Sequence, residues 1–191
     1  MSDIFFELQE QISPVLRSGD LAQCESAITS RLAGLPHSPF HAILDLHIST
    51  DPESIAGVID EFVEREASRF TIGAAYAEMN GFDINTDLCF FTLFAYQRYG
   101  GHDDYDWLSD WQSEDSGEIV IEGLEDLQAV YASDAFGDKR FADASSAASL
   151  LVVIRFQELI RKAATHMRRL QFPFLATAHD FDLIYEVRRD A

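Results

Sequence analysis

The sequence predicts a single α+β domain over residues 1–191. Three observations carry that prediction. The length is that of one ordinary domain, sufficient to close a full hydrophobic core. Segments with a 3.6-residue apolar period and segments with a period of two both occur. They do not follow the strict βα alternation of a doubly wound parallel sheet. The expectation is therefore an antiparallel or mixed β-sheet of about four to five strands packed against helices, with a long helix in the C-terminal half. A helical hairpin at 3–34 comes first, and the sheet and remaining helices follow at 40–187.

Ile4, Leu8, Ile12 and Val15/Leu16 fall on one stripe of a first helix that stops near Ser18-Gly19. Asp20 followed by Gln23 fits a capping box for a second helix, with Leu21, Cys24, Ala27/Ile28 and Leu32 as its apolar face and Gly34 and Pro36 as its end. Phe40 to Ile48 alternates, placing Phe40, Ala42, Leu44, Leu46 and Ile48 on one side and His41, Ile43, Asp45 and His47 on the other; this predicts the first strand. Thr50-Asp51-Pro52-Glu53 opens a helix, with Ile55, Val58/Ile59, Phe62/Val63 and Ala67 as its buried stripe.

Ile72 to Met79 and Leu88 to Tyr99 read as an antiparallel pair of strands. The second is apolar enough to be buried on both faces. Asn80-Gly81 favours a turn between them, and Asp83-Ile84-Asn85-Thr86-Asp87 adds length to the connection. Gly100 to Gly117 reads as a loop, Glu118 to Glu122 as a short edge strand, and Leu124 to Ser133 as a helix. The long helix is expected from about Asp143 to Leu170, apolar nearly all round at Ala147 to Ile154. Pro173 ends it, and Phe174 to Val187 supplies a terminal strand, or a hairpin if His179-Asp180 turns the chain.

Composition narrows function more by exclusion than by assignment. Hydrophobic residues at 47% and aromatics at 12% rule out a disordered tail. A net charge of −19, from 33 acids against 14 bases, disfavours nonspecific binding to nucleic acid or anionic membranes, both of which need a positive surface field. The N-terminus lacks the basic and apolar regions of a secretory signal, and no apolar run reaches the roughly 20 residues of a membrane span. Cys24 and Cys89 form neither a CxxC pair nor a disulfide framework, so buried free thiols in a cytoplasmic protein are expected.

Charge is unevenly distributed along the chain. Residues 1–138 hold 27 acids and 5 bases, whereas 139–191 hold 6 acids and 9 bases. From Tyr99 to Asp138 there are twelve acids and no Lys or Arg. Within that stretch Asp103, Asp104, Asp106, Asp110, Glu114, Asp115, Glu122, Glu125 and Asp126 surround Tyr105, Trp107 and Trp111. Dense carboxylates speed encounter with a basic surface, and aromatic anchors are what interface centres use, so these twelve residues are the expected partner-binding face. The alternative is a solvated surface that maintains solubility, with Trp107 and Trp111 stacked four apart and pinning the loop to the core. Arg161, Lys162, Arg168 and Arg169 are expected to compensate the acids and the negative end of the long helix.

A second constellation carries different chemistry. His41, Asp45 and His47 share a face of the strand predicted at 40–48, and imidazole with carboxylate suits a divalent metal; a complete site needs a further ligand, expected from His179, Asp180 or Asp182 of the terminal segment. Asp83 to Asp87 begins like a calcium loop but has Leu88 where Gly is required and Phe94 where a bidentate Glu is required, so it reads as an Asx turn. GxSxG, GxxxxGK[ST], GxGxxG after a strand and HExxH are all missing. The leading expectation is a non-enzymatic module, without a cofactor, that docks a basic protein partner, for instance as an inhibitor or immunity-type protein. A metal-dependent enzyme is the alternative, and a self-associating scaffold the third.

Overall fold

A computed structural model describes residues 2–81, 83 and 85–187. Ile84 of the expected Asp83–Asp87 turn, Phe82, Met1 and residues 188–191 lie outside the described residues.

Helix α1 (Asp3–Ser18) buries Ile4, Phe5, Leu8, Ile12 and Leu16, the stripe its four-residue spacing dictates. It stops at Gly19, whose φ of 88° is left-handed and lets its N–H reach back to the Leu16 carbonyl. Helix α2 (Leu21–Ala33) starts at once, because the Asp20 carboxylate accepts the Gln23 N–H at 2.9 Å. Helix α3 (Pro52–Ala67) has Asp51 as its cap, accepting from the Glu53 and Ser54 N–H groups, with Pro52 in the first turn where no donor is lost.

The segment between α2 and α3 departs from the expected strand. Pro39–Leu44 forms a 3-10 helix, opened by Ser38 and His41, which hydrogen-bond reciprocally. The fully buried side chains are Phe40 and Ile43, three residues apart, so the local period is three rather than two. Arg155 fixes the result by donating to the Ile43 and Leu46 carbonyls, so a side chain takes two acceptors that a neighbouring strand would otherwise use.

The five-stranded sheet is mixed, in the order β3-β2-β1-β4-β5. Strands β1 (Ala74–Met79) and β2 (Phe90–Tyr96) are antiparallel, as expected, and β3 (Ile119–Val120) pairs briefly with β2. After α4 (Glu125–Tyr131) comes the long helix α5 (Ala142–Ala164). Strand β4 (Phe174–Ala178) runs parallel to β1, and β5 (Tyr185–Val187) returns antiparallel to β4. The chain turns at His179-Asp180, where Asp180 takes a φ of 65°, which establishes the hairpin. Helix α5 packs against α1, α2, α3, the 39–44 segment and the sheet, with Leu150 to Ile154 fully buried. It ends six residues before the expected Leu170. The buried Asp60 carboxylate of α3 instead takes the backbone N–H groups of Arg168 and Arg169 at 3.0 to 3.2 Å, holding that stretch out of the helix.

Cross-strand register divides the sheet into two faces. Phe91, Leu93, Ala95, Ala75, Ala77, Met79, Phe174 and Ala176 point into the helical core and are all buried. Phe90 pairs with Val120, Thr92 with Glu78, and Phe94 with Tyr76 on the outer face, where Phe90, Thr92 and Phe94 remain partly exposed. Strand β2 is therefore not buried on both faces, as its continuous apolar run suggests; it alternates.

Candidate docking surface

The outer face is covered at one end by residues 99–111. Tyr96 at the end of β2 donates its hydroxyl to the Leu108 carbonyl at 3.0 Å, and the Trp107 ring meets Tyr96 edge-on at 4.9 Å and Tyr99 at 5.6 Å. Its Nε1–H donates to the Gly101 carbonyl at 3.2 Å. Gly100 permits this seating, since a Cβ there would overlap the Trp107 indole. Trp107 thus pins the loop, together with Tyr105 and Leu108, onto Ala74, Tyr76 and Leu175. A polar clasp closes the same end. Tyr99 donates to the Glu186 carboxylate at 2.9 Å, and His102 lies 2.7 Å from that carboxylate and 3.3 Å from the Tyr105 hydroxyl.

Trp111 behaves differently. The 3-10 turn Asp106–Ser109 ends before it, so the spacing of four does not stack the two tryptophans. Trp111 is 51% exposed and meets Phe94 edge-on at 5.2 Å. The chain then runs beside β2 without forming a strand. Gln112 accepts from the Gln97 N–H at 2.8 Å, Ser113 from Ala95 at 3.0 Å and Ser116 from Leu93 at 2.8 Å, sealing the sheet edge with side-chain oxygens. Sequence reading missed these three residues, because their role depends on a β2 edge that only the fold supplies.

The expected carboxylates divide into two groups. Asp103, Asp104, Asp106 and Asp110 are exposed on the loop that crosses the outer face, with Asp104 also accepting the Asp106 N–H at 2.9 Å. Glu114 and Asp115 follow along the β2 edge, both exposed; Glu114 lies 3.4 Å from Arg69, and the Asp115 carboxylate accepts the Gly117 N–H. Past β3, Glu122 is tied by its backbone to Ser49 and Thr50 ahead of α3, and Glu125 and Asp126 form the first turn of α4. Glu125 accepts the Gly123 N–H, and that bond holds its carboxyl below the ordinary glutamate value. Of these three, the Glu125 side chain serves the turn at Gly123.

A carboxylate outside the expected set anchors the edge. Glu66 is completely buried, takes the Arg65 guanidinium at 2.9 Å, pairs with Arg69, and accepts the Glu114 N–H at 3.4 Å. Burial pushes its pKa up, but the bonds from Arg65, Arg69 and the Glu114 N–H outweigh this and hold it below the ordinary value. Arg65 also donates to the Asp115 carbonyl. Arg65 of α3 and Arg69 in the turn just after it therefore hold the start of the acidic edge in place.

The other expected site is not assembled. His41 sits in the 3-10 helix with Nδ1 facing Ser38, 3.0 Å from its hydroxyl, rather than on a strand face. His47 lines a cleft with Glu25, Asp51, Arg155 and Lys162, Asp45 follows the 3-10 helix in exposed chain, and His179 bonds to Glu78 at 2.8 Å beside Asp180. Among the described residues no three His, Cys, Asp or Glu side chains are grouped to hold a metal ion. The two cysteines are buried, and desolvation pushes Cys24 up to about 11 and Cys89 up to about 12, which leaves neither thiol nucleophilic near neutrality. No helix among the described residues is long and apolar enough to cross a membrane.

No family model, curated protein or solved structure matches the chain.

Proposed function

We propose that this chain is a non-enzymatic binding module that docks a basic protein partner on the outer face of its sheet. The observation that carries this reading is the exposed Trp111, set on one face with the partly exposed Phe90, Thr92 and Phe94 and with Val120, inside a stretch of twelve acids without a Lys or Arg. A solvated surface needs carboxylates but gains nothing from an exposed indole among them. An interface uses both, the charges for encounter and the aromatic as anchor. One form of such a module is an inhibitor or immunity-type protein whose carboxylates occupy a basic cleft that otherwise takes phosphate. Asp103, Asp104, Asp106 and Asp110 would set the long-range field, because they are exposed and none holds an ion pair to a base among the described residues.

The test is association kinetics with a partner captured from the native host at low salt. Replacing Asp103, Asp104, Asp106 and Asp110 by Asn is expected to slow association about tenfold or more and to flatten its salt dependence. Unchanged kinetics in that variant would reject the acidic surface as the docking site.

A further inference from the structure

Beside Trp111 lies a small cavity of about 220 Å³, lined by Thr92, Phe94, Trp111, Ser113, Glu114 and Asp115. Its floor is the outer face of β2, and Trp111 and Phe94 meet edge-on at 5.2 Å within its lining. Ser113 turns its hydroxyl to the Ala95 N–H of the sheet, so the polar atom that this position offers is already engaged. What remains is an aromatic wall with two exposed carboxylate residues, Glu114 and Asp115, at the rim; Glu114 lies 3.4 Å from Arg69 and the Asp115 carboxylate accepts the Gly117 N–H, and each carboxylate keeps acceptor positions beyond that one contact. Glu78 lies on the same face, across from Thr92, with its carboxylate bonded to His179 at 2.8 Å.

Resting on the docking reading above, we infer that this cavity is the anchor point for one arginine side chain of the partner. Three features select that occupant. An aliphatic stem is matched to the apolar lining, as long charged side chains bury their methylenes and keep the head in water. A guanidinium stacks on an indole face and is the cation most often found there. The rim carboxylates then meet the head, and a guanidinium bonds a carboxylate through two parallel donors where an ammonium offers a point charge. A plain apolar side chain would leave the rim unused, and an acidic one would be repelled by it. Charge complementarity thus commits the cavity to a base, and its aromatic wall commits the base to arginine.

The experiment reads the two indole N–H resonances of the full-length chain by ¹⁵N NMR during titration with the capped peptide Ac-Gly-Arg-Gly-NH₂. Its counterpart carries norleucine in place of arginine. Titration runs to about 20 mM, above the millimolar affinity that one side chain attains. The Trp111 resonance is expected to shift saturably with the arginine peptide and at least about fivefold less with norleucine, while Trp107 stays still. Glu114→Gln with Asp115→Asn should weaken the arginine titration several-fold, and Trp111→Ala should abolish any saturable response elsewhere on the β2 face. Equal response to both peptides, or no shift of Trp111, would overturn the arginine assignment. Partner capture that persists while the peptide titration fails would reject the anchor and leave the docking surface standing; unchanged partner association in the Asp103, Asp104, Asp106 and Asp110 variant would reject the surface itself.

Discussion

The two faces of the sheet are built from different chemistry. The inner face is aliphatic, small or phenyl: Ala75, Ala77, Leu93, Ala95, Phe174 and Ala176 have at most 1% of their surface exposed. The outer face is aromatic and polar, with Tyr76, Phe94 and Tyr96 under a loop whose own surface is acidic. Helices that cover a sheet demand shape and apolarity and nothing else. A loop that covers only part of a face leaves the rest open, and here the open part carries Trp111 and Val120 at 51% and 43% exposure. One face is closed by the helices, and the other stays partly open.

The contrast can be broken from the inner side first. Phe156 of α5 is fully buried and its ring lies 5.4 Å from Phe91, so Phe156→Ala should cost about 3–5 kcal/mol in denaturant unfolding, the largest effect of any change considered. On the outer side, Trp107→Ala should cost about 2–3 kcal/mol, less because the ring is only partly buried, and should raise hydrogen exchange at residues 99–111 without disturbing α5. Gly100→Ala should loosen the same segment by displacing the indole.

Glu66→Gln should cost about 1–3 kcal/mol at neutral pH, since it removes charge-assisted bonds from a buried group, and the difference from wild type should shrink on acidification. The sign follows from the lowered folded pKa: the carboxylate stabilises above its unfolded value, and that contribution is lost as pH falls through the folded one, below about 4.5. His179 runs the other way. Its hydrogen bond to Glu78, together with the nearby carboxylates of Asp180 and Asp83, outweighs burial and raises its pKa above the ordinary 6.5. Its contribution is present below that value and lost as pH rises through the raised one. The side chain is 58% exposed, so solvent screening keeps this effect small, and His179→Gln should flatten only the shallow slope of stability that begins above the ordinary 6.5. Trp111→Ala should be nearly silent in unfolding and severe in partner binding, the smallest effect on the fold and the clearest on function.

Much of this architecture is legible in the sequence where a local signal and the tertiary need agree. The stripe of Ile4, Leu8, Ile12 and Leu16, the caps at Asp20 and Asp51, and the turn at His179-Asp180 are all such cases. Residues 40–48 mislead because Phe40, Ala42 and Leu44 alternate by composition while Ser38, Pro39 and the Arg155 guanidinium impose a turn of three. The end of α5 is illegible for a similar reason. Met167 and Leu170 continue the helical stripe, but Asp60, more than a hundred positions away, captures the backbone at Arg168 and Arg169. For the docking surface, the acid density and the aromatics could be read directly. The different burial of Trp107 and Trp111 could not, since it depends on a 3-10 turn too short to carry a helical spacing from one to the other. The alternation of Phe90, Thr92 and Phe94 was the available sign of an open face, masked by the apolar residues between them.

On the proposed reading the outer face recognises a basic partner while the inner face only stabilises. The most direct measurement compares capture of proteins from the native host, at low and high salt, by the wild-type chain and by Trp111→Ala, with unfolding of both followed in parallel. The expected result is a single near-stoichiometric basic protein, retained by wild type in a complex that forms more slowly at high salt, and lost with Trp111→Ala at unchanged stability. Retention of the same protein by both chains at equal strength would contradict it.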